Sequence, residues 1–154
     1  DLIKDGKFNF SFPTNKPLIY TIDDILEEQV DDQYKISNIA KNNIDNHIEK
    51  FISSPRYDKK HKIIATEIRK SKCNFRGDGI SPCLTAKMGT GGNNIPVLVE
   101  ESRKLTEREC LRIMGFPENY SVKLNSYQSY KQIGNSVVIP VIKEIAIELK
   151  KYLK

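Results

Sequence analysis

The chain has 154 residues, 38% hydrophobic and 29% charged, which suits one ordinary domain with a modest core. Its formal charge is +5, and no apolar run approaches the length of a membrane span, so no membrane partner is expected. Cys73, Cys83 and Cys110 form no CxxC pair and have no histidine at ligand spacing, which argues against a zinc motif and for a reducing compartment.

In chain order, residues 1–20 read as irregular. Phe8, Phe10 and Phe12 alternate, and Pro13 and Pro17 bar a helix. Thr21 predicts the cap of a short helix over Asp23–Val30, with acids in its first turn. Ile36, Ile39, Ala40, Ile44, Ile48, Phe51 and Ile52 recur at helical spacing, and Pro55 closes that helix. Ile63–Ile68 and Ile95–Val99 read as strands, with Pro96 marking an edge or a strand start. Between them, five of the eight glycines fall within residues 77–92, where the backbone can turn sharply or approach a ligand closely. Thr106 and Glu109 form a capping box for a helix that stops at Gly115, ahead of Pro117. The last helix opens near Pro140 and carries Val141, Ile142, Ile145, Leu149, Tyr152 and Leu153 on one face.

The charge is unevenly spread. Residues 1–34 hold three lysines against eight acids, a balance of −5. Residues 35–76 hold eleven basic residues against four acids, +7, and residues 77–154 hold eleven against eight, +3. A basic middle segment suits a polyanionic partner, since each cation near a phosphate releases counterions, but on charge alone a lysine-rich solvated surface is the better account.

Two segments carry more than a pattern. They are Arg103-Lys-Leu-Thr-Glu-Arg-Glu-Cys-Leu-Arg-Ile-Met-Gly-Phe-Pro-Glu-Asn-Tyr120 and Tyr127-Gln-Ser-Tyr-Lys-Gln-Ile-Gly-Asn-Ser-Val-Val-Ile-Pro-Val141. In this order and spacing they resemble the last two motifs of the DNA (cytosine-5) methyltransferases. Lys16-Pro-Leu-Ile-Tyr-Thr-Ile-Asp-Asp-Ile-Leu26 is similar to the family just after its core catalytic motifs, and Ile80-Ser-Pro-Cys-Leu-Thr-Ala86 to the end of its target-recognition region. The resemblance is weakest over residues 31–75.

The resemblance implies an α+β chain: a small irregular target-recognition domain, plus a C-terminal helix that completes the α/β S-adenosylmethionine-dependent domain. Residues 1–20 would leave the catalytic domain, 21–127 would form the recognition domain, and 128–154 would return. The parent activity would be transfer of a methyl group from S-adenosyl-L-methionine to C5 of a cytosine flipped out of double-stranded DNA, in a bacterial, cytoplasmic restriction–modification setting. The catalytic Pro-Cys-Gln and Glu-Asn-Val motifs of the family are not in this sequence. Pro82-Cys83 is followed by Leu84, and Glu118-Asn119 by Tyr120, so no residue here is expected to be catalytic. The chain alone is therefore expected to be inactive, with the catalytic half supplied by the same chain or a separate subunit; the opening on Asp1 rather than Met leans toward a fragment.

The resemblance assigns Asn135, Ser136 and Val137 to the methionine end of the cofactor pocket, where an amide, a hydroxyl and backbone N–H groups can hold a carboxylate. A glycine turn capping the last helix is the plainer reading of the same residues. Arg76, Lys87, Gly89, Thr90, Gly91, Gly92, Asn93 and Asn94 are the candidates for DNA contact, because arginine grips guanine, asparagine grips adenine, and bare amides approach phosphates. Thr85 matches the small hydroxyl residue of the family. Cys83 stands where the family usually has threonine, a better donor to a phosphate. Arg103 is expected to pair with an acid rather than reach a phosphate. No metal is expected. The competing reading, a stand-alone DNA-binding or regulatory domain, has no use for Gly134-Asn-Ser-Val137, which this chain keeps whole.

Overall fold

The computed structural model describes residues 10–90, 94–121 and 125–153. Its centre is a four-stranded antiparallel sheet of β1 (Ile64–Arg69), β2 (Lys72–Arg76), β3 (Val97–Leu98) and β4 (Arg103–Lys104), in the order β2-β1-β3-β4. Pro96 stands immediately before β3, where its missing N–H costs the ladder nothing.

The pleat sends neighbouring residues to opposite faces, and two cores result. Ile64 and its partner Leu98 join Ile22, Leu84, Met88, Leu105, Leu111, Tyr130 and Ile133 on one face. Ala65 and its partner Val97 join Ala40 and Ile44 of α1 (Asn38–Ile52) on the other. Ile68 belongs to the second core although simple alternation from Ala65 would turn it away. A bulge between Thr66 and Arg69 resets the parity, and Glu67 takes the left-handed conformation there with φ 50°. The Glu67 carboxylate accepts hydrogen bonds from Asn74 at 2.9 Å and Lys72 at 3.3 Å, and the Lys72 bond foremost holds its pKa below the usual carboxylate value.

Several expected elements are present with clear local causes. Ser37 caps α1 by accepting from the Ala40 N–H. The capping box of Thr106 and Glu109 opens α2 (Glu107–Ile113), and Gly115 ends it with φ +80°. The last helix, α4 (Ile139–Lys150), carries Pro140 in its first turn.

Others differ. The helix expected over Asp23–Val30 is a single 3-10 turn, Asp23–Ile25. The Thr21 N–H and hydroxyl both donate to the Asp24 carboxylate, and the chain is extended by Leu26, because the Glu27 N–H is drawn to Glu109 instead of back into a helix. The stretch after Ile68, to which the sequence pattern assigned no element, folds back as β2. Residues 126–135, to which the sequence reading assigned no element, form α3 (Ser126–Asn135), capped by Asn125 accepting from the Gln128 N–H. The Gly134–Asn135 pair thus ends a helix and does not form a glycine turn.

No α4 residue is buried. Val141 is 55% and Ile147 48% exposed, and Phe12, Leu18, Ile19 and Tyr20 are exposed as well. Lys16 pairs with Glu144 at 2.7 Å, tying the incoming strand of residues to this helix. No helix among the described residues is long and apolar enough to cross a membrane.

Burial separates the three thiols. Cys110 is wholly buried, and that burial pushes its pKa above the ordinary thiol value, while Cys83 is exposed. A thiol reagent is expected to label Cys83 within the folded chain and Cys110 only after denaturant is added. Mass spectrometry of the labelled peptides checks this, and rapid native labelling of Cys110 would contradict the packing.

Candidate DNA-recognition and cofactor surface

The described part of the glycine-rich segment is anchored at Gly79, Leu84 and Met88. Gly79 has φ +74°, and the His61 ring lies 2.9 Å from where a β-carbon would stand. His61 Nδ1 sits 2.7 Å from the Asp23 carboxylate, which also accepts the Lys62 N–H. Leu84 and Met88 then anchor the segment in the first core, on either side of exposed Thr85. Residues Ala86–Thr90 form a 3-10 turn held by the Met88 N–H on the Thr85 carbonyl and the Thr90 hydroxyl on the Lys87 carbonyl.

This turn lies flush on α3. A β-carbon on Gly89 would stand 2.3 Å from Lys131 Cβ, and one on Gly134 would stand 2.2 Å from the Thr85 carbonyl carbon and oxygen. The glycines therefore permit backbone-to-backbone packing between the loop and the helix. Thr85, Lys87, Thr90 and Asn94 are exposed on the outer side, and Gly89 is half-buried against α3. Gly91, Gly92 and Asn93 lie outside the described residues.

Arg76 is placed differently. Its guanidinium makes a two-pronged contact with Asp78, at 3.2 and 2.8 Å. That hydrogen bond raises the Arg76 pKa and lowers that of Asp78. Arg76 lines a groove with residues 55–60, a different lining from the 3-10 turn that carries Lys87.

Asn135 ends α3 and is exposed, as is Val137. Ser136 donates its hydroxyl to the Ile133 carbonyl at 2.6 Å, leaving its oxygen lone pairs as acceptors. The Ile139 N–H is taken by the Met114 carbonyl, and Pro140 Cδ fills the space where a β-carbon of Gly115 would be, at 2.5 Å. The two long motifs therefore meet at Gly115 and Pro140. Asn135 and Val137 thus stand exposed at the α3–α4 junction, with Ser136 closing the end of α3 between them.

Arg103 and Glu109 form a buried node. Arg103 is 4% and Glu109 0% exposed. The guanidinium grips the carboxylate with two bonds of 2.8 Å, and also reaches Glu101 at 2.6 Å. Glu109 further accepts the N–H groups of Thr106 at 2.8 Å and Glu27 at 3.0 Å. Burial pulls the Arg103 pKa down, and the carboxylates of Glu109 and Glu101 more than offset it, so it stays above the ordinary value. The expected acid partner of Arg103 is thus present, but the reach to Glu27 has no local signal in the sequence.

Among the described residues, no cluster of three or more His, Cys, Asp or Glu side chains is placed to hold a metal. A small cleft of about 230 Å³ is lined by the carboxylates of Glu28, Asp31, Asp32 and Glu101 together with Lys35 and Arg103.

The family model for C-5 cytosine-specific DNA methylase matches residues 3–151. The chain belongs to this DNA methylase family. It is 37% identical over 150 residues to the Type II methyltransferase M.Bsp6I of Bacillus sp. (strain RFL6), covering 93% of this chain and 44% of that protein. It is 30% identical over 148 residues to M.DsaV of Dactylococcopsis salina, covering 94% of this chain and 38% of that protein. A 49-residue stretch is 51% identical to M.HhaI of Haemophilus parahaemolyticus, 32% of this chain and 15% of that one. This methylase chain thus spans less than half the length of these curated relatives.

Proposed function

We propose that this chain supplies target recognition and one edge of the S-adenosylmethionine pocket in a bacterial cytosine-5 DNA methyltransferase. Its partners are double-stranded DNA and a catalytic segment that holds the nucleophile. Residues 21–127 form the recognition unit, residues 1–20 lead out of the catalytic domain, and residues 128–154 lead back. The observation that carries this reading is the packing of the 3-10 turn on α3: one helix supports the loop bearing Thr85, Lys87, Gly89, Thr90 and Asn94 and ends at Asn135, Ser136 and Val137. Gly91, Gly92 and Asn93 continue the same loop in sequence. Lys87 and the Thr85 hydroxyl are suited to phosphates, and the Asn94 amide to a base edge, while the Thr90 hydroxyl holds the turn by donating to the Lys87 carbonyl.

The cofactor, when bound, supplies the activated methyl group. In this reading the Asn135 amide and the Val137 backbone hold its carboxylate end, and Ser136 keeps the α3 terminus closed beside it. The bare face of α4 is the surface on which the catalytic segment rests, since a helix with Val141, Ile142 and Ile147 in water lacks its core.

Mixing this chain with a separately expressed catalytic half is expected to restore transfer of labelled methyl groups to duplex DNA, where neither piece acts alone. Absence of both activity and any gain in cofactor affinity would refute the reading. Replacing Ile142 and Ile147 by glutamate tests α4 separately. Both are exposed, so the unfolding free energy of the chain, read from urea denaturation, should stay within about 0.5 kcal/mol of wild type while reconstituted activity is lost. Retained activity would show that α4 does not form the joint.

A further inference from the structure

The segment between α1 and β1 is both strongly basic and rigidly held. Ser54 donates its N–H and hydroxyl back to the Phe51 carbonyl, and the Tyr57 N–H reaches the Ser54 carbonyl. Tyr57 bridges to Gly77, and the Asp58 N–H bonds the Gly77 carbonyl at 3.0 Å. The Tyr57 ring occupies the space a β-carbon on Gly77 would need, at 2.7 Å, and it packs with Phe51, which in turn stacks on Phe75 at 5.4 Å. Asp58 closes the turn by accepting the Lys60 N–H. The groove so formed, about 1040 Å³ and open to water, is rimmed by Arg56, Lys59, Lys60 and Arg76.

The charges on this rim are not equivalent. Arg76 is neutralised by Asp78, and the Asp58 carboxylate is turned onto its own loop. Arg56, Lys59 and Lys60 are exposed and make no salt bridge among the described residues. Three cations on a fixed backbone, with an aromatic wall beneath, suit a run of phosphates better than a single small anion. Folding has already ordered the loop, so binding has little further backbone entropy to lose.

We propose that Arg56, Lys59 and Lys60 form a phosphate-backbone clamp for duplex DNA, outside the glycine-rich loop and independent of base sequence. The assignment rests on the reading of the chain as a DNA-recognition unit and adds to it a second contact surface. Such contacts fix register on the duplex and carry the salt dependence, while bases are read elsewhere.

The test is binding of the 154-residue chain to duplexes of several unrelated sequences across a salt series, for wild type and for the triple variant Arg56→Ala/Lys59→Ala/Lys60→Ala. Loss of three phosphate contacts should make the slope of log K against log salt shallower by about 2–3, and weaken binding by about tenfold or more at low salt, alike for every sequence. The control Lys41→Ala/Lys143→Ala/Lys150→Ala removes the same net charge from α1 and α4 and should keep most of the slope. An arginine–lysine exchange at the three groove positions should also keep it. Circular dichroism reports whether each variant is folded. The clamp is overturned if wild type binds DNA and the groove variant keeps its slope, or if the α1/α4 control loses as much. A wild-type chain with no affinity for any duplex, either alone or mixed with the catalytic half, overturns the clamp, and the reconstitution assay decides the parent reading separately.

Discussion

Replacing Arg103 by alanine is expected to cost about 3–5 kcal/mol, a large share of the roughly 5–15 kcal/mol that holds a domain together. The arithmetic follows from what stays behind. Glu109 is fully buried, and its carboxylate loses both prongs of the guanidinium while keeping only the N–H groups of Thr106 and Glu27. Those two donors are too few for a charge out of reach of water. The exposed partner Glu101 is half in solvent and loses little. Replacing Glu109 by glutamine keeps the shape but leaves Arg103 with a neutral partner, so a smaller loss is expected. Urea denaturation of the variants measures both. A loss under about 1 kcal/mol for Arg103→Ala would mean that the pair is far better hydrated than its burial indicates.

The second large effect is expected from Gly134→Ala. Two forces oppose each other there. Gly134 lies in the last turn of α3, where alanine is favoured over glycine by at most about 1 kcal/mol. The added carbon, however, would stand 2.2 Å from the Thr85 carbonyl and 2.5 Å from the Ala86 nitrogen. These are backbone atoms and cannot swing aside like the end of a long side chain. Overpacking of this kind costs about 1–3 kcal/mol, and backbone contact puts it toward the upper end, so the clash wins. The variant should lower the urea midpoint and, by pushing the 3-10 turn off α3, weaken DNA binding and cofactor binding in the reconstituted enzyme together. Gly89→Ala, aimed at Lys131 Cβ and the Tyr127 carbonyl, should act in the same direction. A Gly134→Ala chain more stable than wild type would show that helix propensity decides here and that the loop is not seated on the helix.

How legible these features were from sequence depended on how local their causes are. The α1 helix follows from apolar spacing and the closing Pro55, and α2 from a capping box and a stopping glycine, all within a few residues. The two long motifs pointed to the methylase family, and the family model covers the same stretch. By contrast α3 is rich in polar residues and holds a glycine, so its pattern of Tyr130 and Ile133 against the core was too sparse to read. The β2 strand alternates only weakly and owes its place to β1. The expected Asp23–Val30 helix failed because a partner distant in the chain, Glu109, claims the Glu27 N–H.

The candidate site divides the same way. Residue types suited to phosphates and bases were visible in the glycine-rich stretch, but Arg76 could not be known to be tied to Asp78. Nor could Arg56, Lys59 and Lys60 be distinguished from a lysine-rich surface until the Tyr57–Gly77 bridge showed them on one fixed rim. By itself the sequence pointed to the family, to the cap and stop of α2, the close of α1 and the start of α4, and to a basic middle behind an acidic lead-in. The tertiary structure alone decided which glycines are there for close packing, which arginines are already spent on acids, and which apolar helix face is left bare. Capping and periodicity act between near neighbours and are written in short words of sequence, whereas close approach, charge pairing and burial depend on residues that only folding brings together.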